Sequence, residues 1–317
     1  MSDLLFSLNI VLPILLLILT GMAFSRLKLA VPTFIDAANK LSFNVFLPVL
    51  LFYSIIISDF QMVFDGKLLV FILISVAVLF VLLIITVPLI IRDNRKSAII
   101  QGLFRSNFII FGVPICRGIA GDEGAAVAAM VSAFLVPLYN ILMVIVLDYY
   151  SKDGIKRGAW YYLVRVIKNP LVIAGLAALL YIGVSLLIPF TLPSAVGQYL
   201  NYIGGLATPF ALILLGADFN GKNAHKNLKT VALVTFLKTA AIPFVALAVA
   251  VVLGFQGVQL AVILTVFGAP AAVTGYVMAK NAKADYLLAG EIIVGTTLFC
   301  ILTMFLFIYA GKSLELI

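Results

Sequence analysis

The sequence Phe-Gly-x-Pro occurs twice, at residues 111–114 and at residues 267–270, each time near the middle of an apolar stretch. Proline has no backbone N–H to donate and its ring clashes with the preceding turn, so each copy is predicted to break a membrane-spanning helix. Backbone groups that are freed in a bilayer cost several kcal/mol each unless protein, water or ligand satisfies them. Two such breaks, one in each half of the chain, indicate the central binding site of a transporter.

The chemistry predicted for this site is anion binding. At each break a new half-helix would begin, with Pro114 or Pro270 suited to its first position. The amides of residues 116–117 and 272–273 would then have no helical acceptor, so two helix N-termini would face one small volume. The predicted substrate-binding residues are Asn107, Gly112, Val113, Pro114, Arg117, Gly268, Ala269 and Pro270.

Arg117 follows Pro114 by three residues, inside the first turn of the predicted half-helix. A cation there opposes the helix dipole, so a bound anion would relieve the conflict. Arg117→Gln is therefore expected to weaken the binding of a dicarboxylate by roughly tenfold or more. The alternative is that Arg117 extends outward or pairs with Asp122 or Glu123.

Three further ionisable residues lie inside apolar stretches, where charge is expensive and therefore indicates function. Arg105, Lys238 and Glu291 are candidates for ion coupling or charge relay. For Lys238 the alternative is a buried pair with Glu291 or Asp218, and Arg105 could instead extend toward the membrane surface. Asn107 could bind a carboxylate or steady the broken backbone, because an amide both donates and accepts hydrogen bonds.

The composition is that of a membrane protein. Of the 317 residues, 64% are hydrophobic and 11% are charged, whereas soluble domains are about half apolar and a quarter charged. The formal net charge of +8 is spread over short loops, so we expect no nucleic-acid partner. Cys116 and Cys300 both fall in apolar stretches, which supports neither a disulfide framework nor a zinc site.

Apolar runs of about 20 residues predict ten transmembrane helices in an all-α fold. They lie near residues 4–24, 34–57, 68–91, 97–120, 124–148, 168–188, 195–217, 228–253, 258–279 and 284–310. The odd-numbered connections hold sixteen Lys and Arg residues, whereas the even-numbered connections and the two termini hold two. The positive-inside rule therefore predicts a multi-pass protein of the cell membrane with both termini outside and residues 152–168 in the cytoplasm.

An internal repeat is predicted from the prolines. Those at positions 13, 48, 88 and 114 correspond to those at 170, 209, 243 and 270, with offsets of 157, 161, 155 and 156 residues. Because each half contains five spans, an odd number, the second half would enter the membrane from the opposite side. The domains predicted in this way are a first inverted repeat at residues 1–155 and a second at residues 156–317.

The residues around the two breaks resemble those of the auxin efflux carrier family, which includes the plant PIN proteins and bacterial organic-acid permeases. The resemblance rests on Asn107-x4-Gly112-x-Pro114, on the triplet Arg105-Ser106-Asn107, on FNVFLP at residues 43–48 and on PAAVTGYVMAK at residues 270–280. It covers nearly the whole chain, which lacks the long central loop of the plant members. Glu291 is a departure, since a small residue is expected there.

The resemblance implies an inverted-repeat fold with crossing helices 4 and 9. It implies a scaffold of helices 1, 2, 6 and 7, and a transport domain of helices 3–5 and 8–10 that moves as an elevator. The implied function is secondary transport of small organic anions such as malate or malonate, by a homodimer in the lipid bilayer, with Asn107 and the two prolines at the site. We expect no cofactor, and H+ or Na+ as the coupling ion.

Other functions are less well supported by the sequence. The nearest are a sodium-coupled carrier of related fold, similar to the bile-acid symporters, and an auxin-like exporter of monocarboxylates. Broken helices also occur in channels. A membrane-embedded enzyme would need clustered acids, a metal set or a nucleophile with a base, yet the chain has one histidine, His225, in a predicted loop. We therefore expect no enzymatic activity.

Overall fold

The computed structural model describes residues 2–57, 65–150, 159–188, 192–219 and 221–317, and in these ranges the chain is helical. The α-helices are α1 Ser2–Arg26, α2 Pro32–Leu41, α3 Leu47–Ile56, α4 Gly66–Ile90, α5 Lys96–Phe104, α6 Val113–Tyr149, α7 Ala159–Ile167, α8 Pro170–Leu187, α9 Ser194–Gly205, α10 Ala207–Asp218, α11 Gly221–Phe236, α12 Ile242–Val252, α13 Val258–Gly268, α14 Thr274–Asn281 and α15 Tyr286–Ser313. Short π-helical turns occupy Ser42–Phe46, Phe108–Gly112 and Leu237–Ala241. Lys152, Lys156 and Arg157, on which the predicted cytoplasmic loop partly depends, lie outside the described residues.

Within the described ranges, six helical stretches are long and apolar enough to cross a membrane. They are Pro32–Ile56, Gly66–Ile90, Phe108–Tyr149, Ser194–Asp218, Asn227–Val252 and Tyr286–Ser313. Shorter apolar helices cover Leu12–Arg26, Pro170–Ser185 and Val258–Gly268. This confirms the prediction of an all-helical membrane protein, whereas ten spans in two inverted repeats stay a prediction.

Three of the prolines that lie inside continuous helical stretches follow a π-helical turn. Pro48, Pro114 and Pro243 each stand second in an α-helix that directly follows a π-helical turn. A π turn bonds each N–H to the carbonyl five residues back, which gives room to a proline whose ring would clash with the carbonyl four residues back. The prediction that Pro114 breaks its helix is therefore wrong, because helical structure passes through it.

A sharp turn does divide α6 at another point. Gly121 adopts φ 63° and ψ −150°. Residues with a Cβ atom adopt this backbone conformation only at a cost in free energy. The turn falls between the predicted spans 97–120 and 124–148, so two helices run into each other there with almost no loop.

The helices at the site pack against one another and against neighbouring helices. α3 packs against α8 and α9, and α10 packs along α1. The α1–α10 pair approaches backbone to backbone, since a Cβ atom on Gly216 would lie 2.0 Å from the carbonyl oxygen of Ile18. Small residues permit such close approach between helices in membranes, and they fix the position of α10.

Candidate functional site

Two of the apolar stretches are interrupted in mid-course. The first interruption, at residues 105–107, separates α5 from the π turn Phe108–Gly112. The second, at residues 269–273, separates α13 from α14 and contains Pro270. The sequence thus located the second interruption correctly and placed the first about two helical turns too late, at Pro114.

The two interruptions cross each other. Ser106 and Ala271 form an antiparallel β-bridge, and the N–H of Asn107 donates to the carbonyl of Pro270 at 2.8 Å. Backbone groups that the helices leave unpaired are therefore paired between the two halves of the chain, as a structure in lipid requires. We call residues 105–107 and 269–273 together the crossing.

Hydroxyl groups from neighbouring helices hold the crossing in place. The Ser106 hydroxyl donates to the carbonyl of Val266 and lies 3.0 Å from the Tyr139 hydroxyl, which then acts as the donor to Ser106. On the other segment, the N–H of Ala271 donates to the Thr296 hydroxyl at 3.1 Å. Sequence reasoning missed Tyr139 and Thr296, since a single hydroxyl in an apolar helix carries no motif.

A pocket of about 620 Å³, measured with its open mouth, lies beside the crossing. One side, which we call the facing wall, consists of residues from α3, α8 and α10: Leu47, Leu50, Leu51, Leu171, Thr208 and Ala211. The other side is formed by the crossing with α6 and the helix ends next to it: Arg105, Ser106, Asn107, Phe108, Ile109, Ile110, Val136, Tyr139, Asn140, Ala272, Val273 and Thr274. The polar side chains are concentrated on the crossing side.

Arg105 brings a buried charge to this pocket. Its side chain is 4% exposed and directly follows α5, whose C-terminal end favours a cation. The guanidinium donates to Oδ1 of Asn140 at 2.8 Å and to Sδ of Met278 at 2.9 Å, and both acceptors are neutral. In the described part of the chain no carboxylate lies within ion-pairing distance of it. The helix dipole offsets only about half a charge, so the pocket wall is net positive.

Two further polar groups of the pocket have no protein partner among the described residues. These are Nδ2 of Asn107, a residue that is 8% exposed, and Oγ1 of Thr274. A buried donor without a partner costs about 1–3 kcal/mol, so both groups are suited to bind a ligand that accepts hydrogen bonds.

Helix N-termini also point toward the pocket. The π turn that begins at Phe108 and the helix α14 that begins at Thr274 both line it with their first residues. First-turn amides without an acceptor attract anions. In α14, however, the N–H groups of Gly275 and Tyr276 already donate to the carbonyls of Ala272 and Val273. Two helix starts therefore lie at the pocket, and whether they bind an anion stays a prediction. The amides of Cys116 and Arg117 are not part of this arrangement, because both residues lie inside α6.

Part of the chain is similar to known membrane transporters. Residues 159–308 match the family described as membrane transport protein, that of the auxin efflux carriers. The match covers a little under half of the chain, and this similarity supports a transport function. A relative from Methanothermobacter thermautotrophicus, described as an uncharacterized transporter, is 24% identical over 216 residues, which is 67% of each chain.

Arg117 lies away from the pocket, whose lining does not include it. Its side chain is 67% exposed, and its Nε is 3.4 Å from a carboxylate oxygen of Asp122. The expectation that Arg117 supplies the cation for the substrate is corrected here, because its side chain is exposed and does not line the pocket. Arg105, in contrast, lines the pocket.

The glycines of the two Phe-Gly-x-Pro sequences allow close packing of side chains, and neither the glycines nor the prolines line the pocket. A Cβ atom on Gly112 would lie 2.4 Å from the Phe108 ring, and one on Gly268 would lie 2.8 Å from Cε of Met304. The described pocket lining does not include Gly112, Val113, Pro114, Gly268, Ala269 or Pro270. Pro270 contributes through its carbonyl, which accepts the hydrogen bond from Asn107.

Lys238 and Glu291 do not pair with each other. Lys238 is 0% exposed within the π turn Leu237–Ala241, and its Nζ has no hydrogen-bond partner among the described residues. Glu291 accepts a hydrogen bond of 2.8 Å from Asn227. Asp218, the other expected partner of Lys238, binds Lys280 instead. The alternative of a buried pair for Lys238 is therefore wrong.

Lys280 is the centre of a cluster of ion pairs in the described chain. Its side chain is 9% exposed and pairs with Asp218 and, at 3.3 Å, with Asp36. Asp218 also accepts a hydrogen bond of 2.5 Å from the Tyr276 hydroxyl. The cluster thus joins α14, next to the crossing, to α2 and α10.

Proposed function

We propose that this transporter carries small organic anions, carboxylates such as malate or malonate, across the cell membrane by alternating access. The observation that carries the proposal is Arg105, whose guanidinium lines the pocket and is held by neutral groups alone. A buried cation without a counter-ion is expensive, and an anionic ligand offsets that cost at this position.

The groups around Arg105 fit a carboxylate. Two carboxylate oxygens offer about four acceptor sites, and the pocket presents unpartnered donors at Asn107 and Thr274. Hydrogen bonds to an ionised acceptor are roughly twice as strong as neutral ones. A single carboxylate could therefore be bound through one charge and several N–H or O–H donors.

Support for an elevator comes from where the pocket lies. One side belongs to α3, α8 and α10, which fall in the scaffold implied by the family resemblance, and the other to the crossing, α6 and α14, which fall in the transport domain. Movement of the second group along the first would expose the pocket to one membrane face and then to the other. The proposal includes two inverted five-helix repeats, a homodimer with both termini outside, and coupling to H+ or Na+.

A monocarboxylate is the second candidate substrate, as in an auxin-like exporter. The facing wall is apolar except for Thr208, and Arg105 is the one cation that lines the pocket within the described residues. A dicarboxylate would place its second charge against this wall, at a distance from any compensating group. A ligand with one carboxylate and an apolar tail would bury that tail at about 25 cal/mol per Å².

The proposal is tested by matched ligands. Malonate, its singly charged isostere isovalerate and the neutral isovaleramide should be compared for their effect on the melting temperature of the purified protein, with and without sodium. Stabilisation by a carboxylate but not by the amide is expected, and equal effects of isovalerate and isovaleramide would refute anion transport. Strict dependence on sodium would favour the bile-acid-symporter-like alternative, and non-saturable flux in proteoliposomes would favour a channel.

Asn107→Ala is expected to lose most transport while the protein still folds. The substitution removes the unpartnered Nδ2 but keeps the backbone N–H that bonds Pro270, so the crossing should persist. Loss of one hydrogen bond to a charged ligand corresponds to about 1.5–3 kcal/mol in affinity. Uptake and ligand binding should be measured beside Asn44→Ala, an exposed asparagine that bonds its own helix. Normal transport by Asn107→Ala would remove Asn107 from the site.

A further inference from the structure

We infer that Asn140 determines the charge selectivity of the pocket, by holding the guanidinium of Arg105 with a neutral oxygen. This inference rests on the proposed function, and it concerns a residue that no sequence motif marks. Asn140 lies on α6, lines the pocket and is 1% exposed. Its Oδ1 accepts from Nη2 of Arg105 at 2.8 Å.

The guanidinium is clamped between two helices. Asn140 holds it from α6, and Met278 holds it from α14 with a thioether sulfur, a weak acceptor, 2.9 Å from Nη1. Neither partner carries charge. The clamp therefore fixes the orientation of Arg105 without neutralising it, and the positive charge stays available to a ligand.

An aspartate in this position would reverse that arrangement. Aspartate has nearly the shape of asparagine, and an oxygen in the place of Oδ1 would form a charge-assisted bond with the Arg105 guanidinium. Away from water such a pair is strong, so a ligand carboxylate would have to compete with it for the same cation. The neutral side chain at position 140 is what keeps the site open to anions.

Two variants separate this role from a direct or structural one. Asn140→Asp should bind isovalerate and malonate at least about tenfold more weakly than the wild type. Asn140→Leu, of similar size and without charge, should lose only about two- to fivefold, because Arg105 then lacks one orienting bond but keeps its charge. In the absence of ligand, Asn140→Asp should melt at or above the temperature of Asn140→Leu, since its carboxylate gains an ionic partner.

The measurement is titration calorimetry of each purified variant with isovalerate, malonate and isovaleramide, with Arg105→Gln alongside. Equal losses in Asn140→Asp and Asn140→Leu would mean that Asn140 is a direct ligand donor, and wild-type affinity in Asn140→Asp would likewise overturn the inference. If Arg105→Gln loses affinity while Asn140→Asp does not, the inference fails and the proposed function stands. Unchanged affinity in both Arg105→Gln and Asn140→Asp would contradict the proposed function itself.

Discussion

Arg105→Gln is expected to lower the affinity of the purified transporter for isovalerate and malonate at least about tenfold, which corresponds to about 1.4 kcal/mol. Glutamine can still donate hydrogen bonds in the buried pocket, but it brings no charge to the carboxylate. Arg105→Lys should retain part of the affinity, because it keeps the charge and loses the planar fork that suits a carboxylate. Calorimetric titration and uptake into proteoliposomes measure both effects.

Arg117→Gln provides the matched control for this prediction. It makes the same substitution on an exposed arginine that already has Asp122 as a partner. Exposed pairs of this kind contribute about 0–1 kcal/mol, so affinity and transport should stay close to the wild type. A large loss in Arg117→Gln together with normal binding in Arg105→Gln would show that the anion binds elsewhere.

Thr296→Val is expected to destabilise the crossing and to reduce transport strongly. Valine has the shape of threonine but cannot accept the hydrogen bond from the N–H of Ala271, which lies buried and away from water. A buried N–H left unpaired costs about 1–3 kcal/mol. The melting temperature in detergent and the initial rate of uptake should both fall, and Thr296→Ser should restore both.

Thr303→Val is the control on the same helix. Thr303 is also buried, but its hydroxyl donates only to carbonyls of its own helix, at Phe299 and Cys300, and those carbonyls keep their backbone partners. Its replacement should therefore have a small effect. Equal destabilisation by Thr296→Val and Thr303→Val would mean that the bond to Ala271 contributes nothing to the crossing.

Much of the fold could be predicted because lipid restricts what a chain can do. Apolar runs of membrane length are helical, and a glycine and a proline in mid-span indicate an interruption. The interruption at residues 269–273 was located in this way, since no π turn precedes Pro270. The same reasoning failed at Pro114, because the preceding turn widens to a π-helix and accommodates the ring. Pro13, Pro88 and Pro137 also lie inside α-helices, so residue type alone does not reveal whether a proline breaks a helix.

The error about the cation follows from the error about the interruption. With a helix start at Pro114, Arg117 would face the site; with an interruption at residues 105–107, Arg105 does. A signal was present in the triplet Arg105-Ser106-Asn107, three consecutive polar residues within an apolar span. Partners such as Asn140 and Thr296 depend on how distant helices pack, which spacing along the chain does not encode.

The uneven distribution of polar groups around the pocket has a mechanical consequence. The groups proposed to hold the ligand all sit on the crossing side, and Arg105 ties that side together by bonding both α6 and α14. The facing wall is nearly all leucine and alanine. Apolar contact has no preferred direction. In the proposed elevator, the crossing side could therefore move along the facing wall without breaking hydrogen bonds between them.

In the described chain, directional contacts join α14 to α2 and α10, and they include a hydrogen bond from Asn39 to the carbonyl of Val277. Lys280 also pairs with Asp36 and Asp218, and Tyr276 bonds Asp218. In the proposed elevator movement, these hydrogen bonds and ion pairs would have to break before α14 could move along α2 and α10. In that proposal the apolar facing wall allows the movement, and the ion pairs of Lys280 stabilise the position seen in this structure.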